Sequence, residues 1–365
     1  MNLHDERRVV LTLDAGGTNF VFSAMRDGRQ VVEPVTLPAV PDDSRACLQR
    51  IADGFRQVKE VLDTDPVAIS FAFPGPADYA HGVIGDLPNF PGFRGGVALG
   101  PYLEDVFGIP VFIENDGNLF ALGEALYGAL PAVNEALAAA GSQKRYRNLL
   151  GLTLGTGFGA GVVLDGRLLV GDNGCGGDVW LMRHPRHREL IVEEGVSIRA
   201  VKRRYARLSG EPADDLTPKD IFDIAEGRLP GDAQVARSVF ADLGRCAAEA
   251  IVPALDIVDG IVVIGGGLSG ASRYFLPGLL NAMRANVATI AGASFPCLQM
   301  AVYDLGDPGE KAAFLRDESG EVSVPGTDRT VRYETVKKTG VMISSLGASR
   351  AIALGAYSRA IQQLD

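Results

Sequence analysis

The chain opens on an apolar run from Val9 to Leu13 that breaks at Asp14-Ala15-Gly16-Gly17-Thr18-Asn19 and resumes as Phe20-Val21-Phe22-Ser23-Ala24. Apolar run, glycine turn, apolar run predicts a hairpin, and Asp27-Gly28 marks a second turn. Residues 44–62 then carry Leu48, Ile51, Phe55, Val58 and Leu62 at helical spacing behind Ser44, read as the N-cap. A buried strand from Val67 to Phe73 stops at Pro74-Gly75-Pro76. Another, from Pro110 to Ile113, runs into Glu114-Asn115-Asp116-Gly117-Asn118, and Leu119, Leu122 and Leu126 predict a helix behind it.

The second half repeats this order. Leu149 to Leu154 reads as a strand, Gly155-Thr156-Gly157-Phe158-Gly159-Ala160-Gly161 as its turn, and Val162-Val163-Leu164 as the return strand before an Asp165-Gly166 turn. Helical patterns follow near 193–207, 236–256, 271–287 and 344–362, with a strand from Ile261 to Ile264 ending in Gly265-Gly266-Gly267. Strand, glycine turn, strand and helix, twice over, predict a duplicated α/β architecture with a cleft between the halves. Residues 129–147 read as a helix end and exposed loop. Residues 306–338, charged and turn-rich with a strand-like patch Thr330 to Tyr333, read as a surface insertion.

Length and composition narrow the class. At roughly 150 residues per domain, 365 residues suggest two domains, and 47% apolar content supports a large core. The formal charge of −10 argues against a general nucleic-acid or anionic-membrane surface. No run of about 18 apolar residues is present, and the polar start MNLHDERRVV shows no secretory signal, so a soluble cytoplasmic protein is expected. Cys47, Cys175, Cys246 and Cys297 form no CxxC pair and read as buried thiols in a reducing compartment. The 45 glycines exceed the usual level of about 7%, so the backbone either loops often or approaches something closely.

A phosphate needs several backbone N–H donors converging without Cβ atoms in the way, which glycine turns between strands provide. Thr18 and Thr156 add hydroxyls to the two turns, and Asp14 stands where a carboxylate could hold hydrated magnesium. Either turn alone is more simply a tight hairpin; two related turns heading two halves are harder to dismiss. Gly155-x-Gly157-x-x-Ala160 matches a relaxed dinucleotide fingerprint but is followed by a strand where that motif needs a helix. Gly265-x-Gly267-x-x-Gly270 has the right flanks but lacks a strand-end acid about twenty residues on, and a glycine turn packing a nucleoside base fits as well. Asp116, at a strand end, is a candidate base for a hydroxyl, although Asp before Gly is also a common helix-start residue.

Taken together, Leu13 to Asn19, Asn89-Phe90-Pro91-Gly92-Phe93, Glu114 to Asn118, Leu154 to Gly161 and Ile264 to Gly267 resemble, in order, the motifs of the ROK family of sugar kinases and sugar-responsive repressors. The resemblance implies an α/β, two-domain actin-like ATPase (ribonuclease H-like) fold with a cleft between the domains. The expected division is 1–117 with 346–365 as a small domain and 118–345 as a large one. It implies that Asp14, Gly16, Gly17, Thr18 and Asn19 with Gly155, Thr156 and Gly157 cradle ATP. It also implies that Gly265, Gly266 and Gly267 contact adenosine, and that Asp14 holds Mg2+ through water. Gly75, Asn89, Asn115 and Asp116 would line the sugar side, with Asp116 as the base. The resemblance further implies a homodimer acting on a small sugar, with no nucleic-acid or membrane partner.

Departures fall near the substrate. After Asn173-Gly174 the family's Gly-Glu-x-Gly-His becomes Gly177-Asp178-Val179-Trp180-Leu181, so Asp178 replaces the sugar-contacting Glu and Leu181 the His. The cysteine-rich zinc loop is replaced by Arg183-His184-Pro185-Arg186-His187-Arg188, read as a solvated basic loop with no zinc site, since structural zinc wants four closely spaced ligands. Glu193, four residues before Ser197, matches the family's glutamate at the anomeric end of the sugar. Trp180 reads as a partly buried core aromatic, and Arg199, Lys202, Arg203, Arg204 and Arg207 as a solvated helix face. An ATP-dependent hexose kinase, with the glucose 6-hydroxyl as leading acceptor, is the expected function. The alternatives are a kinase for fructose, mannose, N-acetylglucosamine or N-acetylmannosamine, or a non-catalytic sugar-responsive regulator. Against the regulator stand the net charge and the short stretch before Asp14, which leaves no room for a helix-turn-helix.

Overall fold

The structure is a computed structural model that describes residues 7–16, 18–86 and 91–365. Along the chain the elements that position the site are β1 (Val10–Ala15), β2 (Asn19–Arg26), α1 (Ser44–Glu60), β3 (Ala68–Ala72), β4 (Val111–Glu114) and α2 (Asp116–Leu126). There follow β5 (Leu149–Leu154), β6 (Phe158–Leu164), α3 (Ile198–Ser209), α4 (Ala233–Val258), β7 (Ile261–Gly265), α5 (Ser272–Met283), β8 (Ala301–Asp304), β9 (Lys338–Ile343) and α6 (Ala348–Leu364). The chain divides into two compact units. Residues 1–128, 161–177 and 346–365 form the first, and residues 129–160 and 178–345 the second.

In the first unit β2 returns antiparallel to β1, whereas β1, β3 and β4 run parallel. Asp27 and Gly28 at the tip of the return both take positive φ, 51° and 66°, the geometry that right-twisted hairpins favour. One face of the sheet is filled by phenylalanines: Phe22 meets Phe55 of α1 edge-on at 5.1 Å, and Phe55, Phe71 and Phe73 continue the stack to Phe93. Gly54 of α1 faces the Phe22 ring, so a side chain there would collide with it. The N-cap of α1 is Asp43, whose carboxylate accepts from the Ala46 amide at 3.0 Å, one residue before the expected Ser44.

The other face is covered by α6, which shows little amphipathic patterning because it is buried around most of its circumference. α6 and α2 cross in backbone contact: Gly123 abuts the Ala351 carbonyl and Gly355 the Leu119 carbonyl. This close crossing groups α2 with the first unit, whereas the sequence division ended that unit at residue 117.

The second unit is built on β5, β7, β9 and β8, all parallel and paired in that order. β5 and β7 read as nearly unbroken apolar runs, as strands covered on both faces do. α4 and α5 pack closely, with Gly244 against the Phe275 carbonyl. Residues 306–338 differ in part from a simple insertion. Pro308–Leu315 is a helix in the connection between β8 and β9, with Phe314 buried, and only the hairpin of Ser319–Ser323 and Thr330–Glu334 is largely exposed. Residues 129–147 contain a full helix, Ala129–Ala139.

Candidate functional site

Because β1, β3 and β4 are parallel, their C-terminal ends lie on one edge of the first sheet, the edge at which α/β proteins bind ligands. Asp14 is in register with Ala72, and Ala72 with Glu114. The backbones of Asp14 and Glu114, which immediately precedes the Asn115-Asp116 pair, are therefore about 10 Å apart, two strand spacings. Gly75 follows β3 on the same edge, against the Tyr79 hydroxyl. In the first glycine turn the Gly16 amide donates to the Asn19 carbonyl at 3.0 Å, and a Cβ on Gly16 would come within 2.9 Å of that oxygen. Thr18 and Asn19 are exposed. Gly17 and Asn89, both predicted site residues, lie outside the described residues.

Asn115 caps α2, its Oδ1 accepting from the Gly117 amide at 2.8 Å. Asp116 Oδ1 accepts from the same amide at 2.8 Å. Solvent reaches Asp116, yet the surrounding protein strips enough water from its carboxyl to push the pKa above the usual range, against the opposing pull of the Gly117 amide. A brace lies behind this pair that sequence reasoning did not single out. Glu114, only 2% exposed, accepts from the Asn115 amide at 3.1 Å and from Asn118 Nδ2 at 3.0 Å, with Arg359 Nε of α6 3.7 Å from its other oxygen. A carboxylate at the last position of an apolar strand was the available signal; its partner on α6, 245 residues away in sequence, was not readable. Gly161 is also fixed here, since a Cβ would approach the Gly117 carbonyl to 2.5 Å and Asn118 Cα to 2.7 Å.

On the second sheet, Thr153 is in register with Gly265, so the Gly155 and Gly265 turns leave adjacent parallel strands at the same edge. Gly155 donates to the Gly157 carbonyl at 3.0 Å and accepts from the Ile198 amide at 2.9 Å. Glu193 locks the turn from beneath: Oε2 accepts from the Phe158 amide at 2.9 Å while Oε1 accepts from Arg199 Nη2 at 2.7 Å. A Cβ on Gly157 would come within 2.7 Å of Glu193 Oε2. Gly266, at φ 87°, presses on the Leu154 backbone. By contrast, a Cβ on Gly155, Gly267 or Gly270 would meet nothing within 4 Å. Among the described residues no contact demands glycine at those three positions. Thr156 is exposed beside them.

Asp178 is exposed and precedes a short 3-10 turn, Val179–Leu181, without capping it; Trp180 is half-buried and Leu181 is 52% exposed. The 183–188 stretch is largely exposed, as the sequence suggests, with His184 as the exception. Arg183 pairs with Ile191, and His184 is buried with Nδ1 accepting from the Arg186 and His187 amides, both at 3.2 Å. Only its Nε2 is left, 3.9 Å from Cys246 Sγ. Zinc does not fit this arrangement: among the described residues no three His, Cys, Asp or Glu side chains gather to hold a metal. On α3, Arg199, Arg203 and Arg207 are exposed, as the sequence suggests, but the face is also paired: Arg204 meets the buried Asp242 of α4 and Arg203 meets Glu194.

Known proteins share this architecture. A solved glucokinase from Parabacteroides distasonis is 56% identical, with a TM-score of 0.89 and 99% of each chain covered. A glucokinase from Thermotoga maritima is 28% identical over 78% of this chain and 89% of its own length. An N-acetyl-D-glucosamine kinase from Vibrio vulnificus is 27% identical over 77% and 97%. A family model described as ROK family matches residues 10–307. With its motifs set on two glycine-turned sheet edges of an actin-like ATPase fold, the chain belongs to the ROK family.

Proposed function

We propose that this sugar kinase transfers the γ-phosphoryl group of ATP to a hexose hydroxyl, with the 6-hydroxyl of glucose as acceptor and Asp116 as the general base. What supports this reading, each within its own unit, is a partly desolvated carboxylate at the end of a parallel strand and glycines open to approach at the other glycine turns. Phosphoryl transfer needs positioning and charge neutralisation more than covalent chemistry, and these residue types supply both. Asn115, with Oδ1 committed to its cap, keeps its Nδ2 for a sugar oxygen. Asp116 accepts the hydroxyl proton, and its raised pKa makes it a better base than a fully hydrated aspartate.

The residues fit a nucleotide with a divalent cation. A Cβ at Gly155 or Gly267 would enter open space that a phosphate or adenosine would need, and Asp14 at a strand end offers the hard oxygens that would hold magnesium through water. Magnesium would neutralise charge on the transferring phosphoryl group. Glucose is favoured over N-acetylhexosamines by the likeness to the Parabacteroides glucokinase, the most similar of the three relatives in sequence. A coupled ADP-release screen with glucose, mannose, fructose, N-acetylglucosamine and N-acetylmannosamine tests the reading. Turnover on glucose that vanishes in Asp116→Ala is expected. No turnover on any sugar, or full turnover in that variant, overturns it.

A further inference from the structure

The 183–191 turn, α3 and α4 enclose a cavity of about 460 Å³ within the second unit. Its lining carries four guanidiniums, from Arg186, Arg203, Arg204 and Arg207, and two imidazoles, from His184 and His187, but only two carboxylates, Glu194 and Asp242. Asp242 is nearly fully buried and already shared: Arg186 Nη2 lies 2.8 Å from it, and Arg204 and Arg245 pair with it as well. Glu194 is held by Arg203 at 2.5 Å and by Arg199 at 2.6 Å. Four fixed positive charges against two negative ones leave an excess of two in a concave, partly desolvated space.

Three features leave this excess unmet among the described residues. Arg204 Nε is buried with no hydrogen-bond partner, which is costly for a charged donor. Arg207 makes no ion pair among the described residues and faces the cavity from the next turn of α3. Burial, reinforced by repulsion from Arg186 and Arg207, lowers the pKa of Arg204, and burial with His187, Arg186, Arg203 and Arg204 lowers that of His184. Like charges gathered around one hollow repel at close range, and an anion seated among them relieves that repulsion.

We propose that this cavity is a binding site for a small phosphorylated molecule, recognised through its phosphomonoester dianion. A phosphomonoester carries about −1.5 to −2 charges at neutral pH, which matches the excess, and its oxygens accept the paired N–H donors that guanidiniums present. The volume lies in the range of small-molecule sites, about 300–1,000 Å³, and accommodates more than the phosphate alone. A single carboxylate would leave half of the excess uncompensated. The site is separate from the glycine turn at Gly155, and its occupancy does not require the kinase reading to hold.

Occupancy has a route to the glycine turn. An anion that draws Arg203 away from Glu194 leaves Arg199 as the partner of Glu194, and Arg199 also holds Glu193, which accepts from the Phe158 amide.

Calorimetric titration with inorganic phosphate and with pyrophosphate, at constant ionic strength set by chloride, tests the site without reading catalysis. Four proteins are compared: wild type, Arg203→Gln/Arg207→Gln, Gly155→Val to obstruct the glycine turn, and Arg45→Gln/Arg50→Gln as an equal charge change on α1. Removing two exposed guanidiniums is expected to weaken one saturable site by at least about tenfold, since each takes away a charge-assisted contact. The same site is expected to persist in Gly155→Val and in the α1 control. Far-UV circular dichroism and melting curves check that every variant is folded. Binding that is lost in Gly155→Val and kept in Arg203→Gln/Arg207→Gln overturns the proposal. So does equal weakening in both arginine double variants, or the absence of saturable binding in wild type.

Discussion

The Phe158 amide donates to Glu193 Oε2 at 2.9 Å, and Arg199 occupies the other oxygen of the same carboxylate at 2.7 Å. The glutamate that family resemblance aligns with the sugar's anomeric end thus has both oxygens engaged inside its own unit, under the glycine turn. Replacing Glu193 with Ala leaves a buried amide unpaired at a cost of about 1–3 kcal/mol. The expected result is a melting temperature lowered by several degrees and a KM for ATP raised more than the KM for sugar. A selective rise in sugar KM would instead assign Glu193 to the sugar.

With Asp116 proposed as the base, the pH dependence is expected to follow its carboxyl. Its folded pKa is raised, so the base form is lost as pH falls through that raised value, and kcat/KM is expected to fall there rather than near the usual aspartate range. Asp116→Asn is expected to lower kcat by about 10²–10⁴-fold and to abolish this acidic limb. A pH–rate profile of both proteins decides.

The sign for stability is opposite to that of a salt-bridged carboxylate. With a raised folded pKa the native state binds the proton more tightly than the unfolded chain, so Asp116 destabilises the fold progressively as pH rises from the unfolded pKa through the folded one. At neutral pH, Asp116→Asn should leave the melting temperature unchanged or raise it. A drop of several degrees in thermal melts would show that the carboxylate supports the fold.

Two glycines separate packing from ligand approach. Gly161→Ala forces a methyl against the backbone of Gly117 and Asn118 at the start of α2, and should cost about 1–3 kcal/mol by denaturant unfolding. Gly267→Ala meets open space and a backbone outside the left-handed region, so stability should change by less than about 0.5 kcal/mol. Its KM for ATP should nonetheless rise at least about tenfold, the cost of crowding one methyl against a ligand.

Asp242 is the hinge of an ion network with Arg186, Arg204 and Arg245. Removing it strands three guanidiniums around a buried point, and Asp242→Ala should lose about 3–5 kcal/mol in chemical denaturation. A loss below about 1 kcal/mol would mean that water already screens the network.

The glycine turns, Asp14, the Asn115-Asp116 pair and the strands that lead into them were legible because each is a local pattern: an apolar run, a break without side chains, a polar residue at the strand end. Element boundaries mostly followed, apart from the helix start at Asp43, the extent of Ala129–Ala139 and the helix within 306–338. The basic face of α3 and the 183–188 loop are largely exposed, but their ion pairs were not legible in the sequence. Helical spacing tells which arginines of α3 share a side, but not that α4 presents Asp242 to that side.

The sequence by itself determined the family, the α/β class and where the backbone turns without side chains, because these depend on residues within a few positions of one another. Only the tertiary structure decided that Glu114 is braced by Arg359, that Glu193 holds the Phe158 amide and that four arginines converge on one cavity. Those pairings join residues far apart in the chain, and strand register and helix crossing, rather than spacing, bring them within hydrogen-bonding distance.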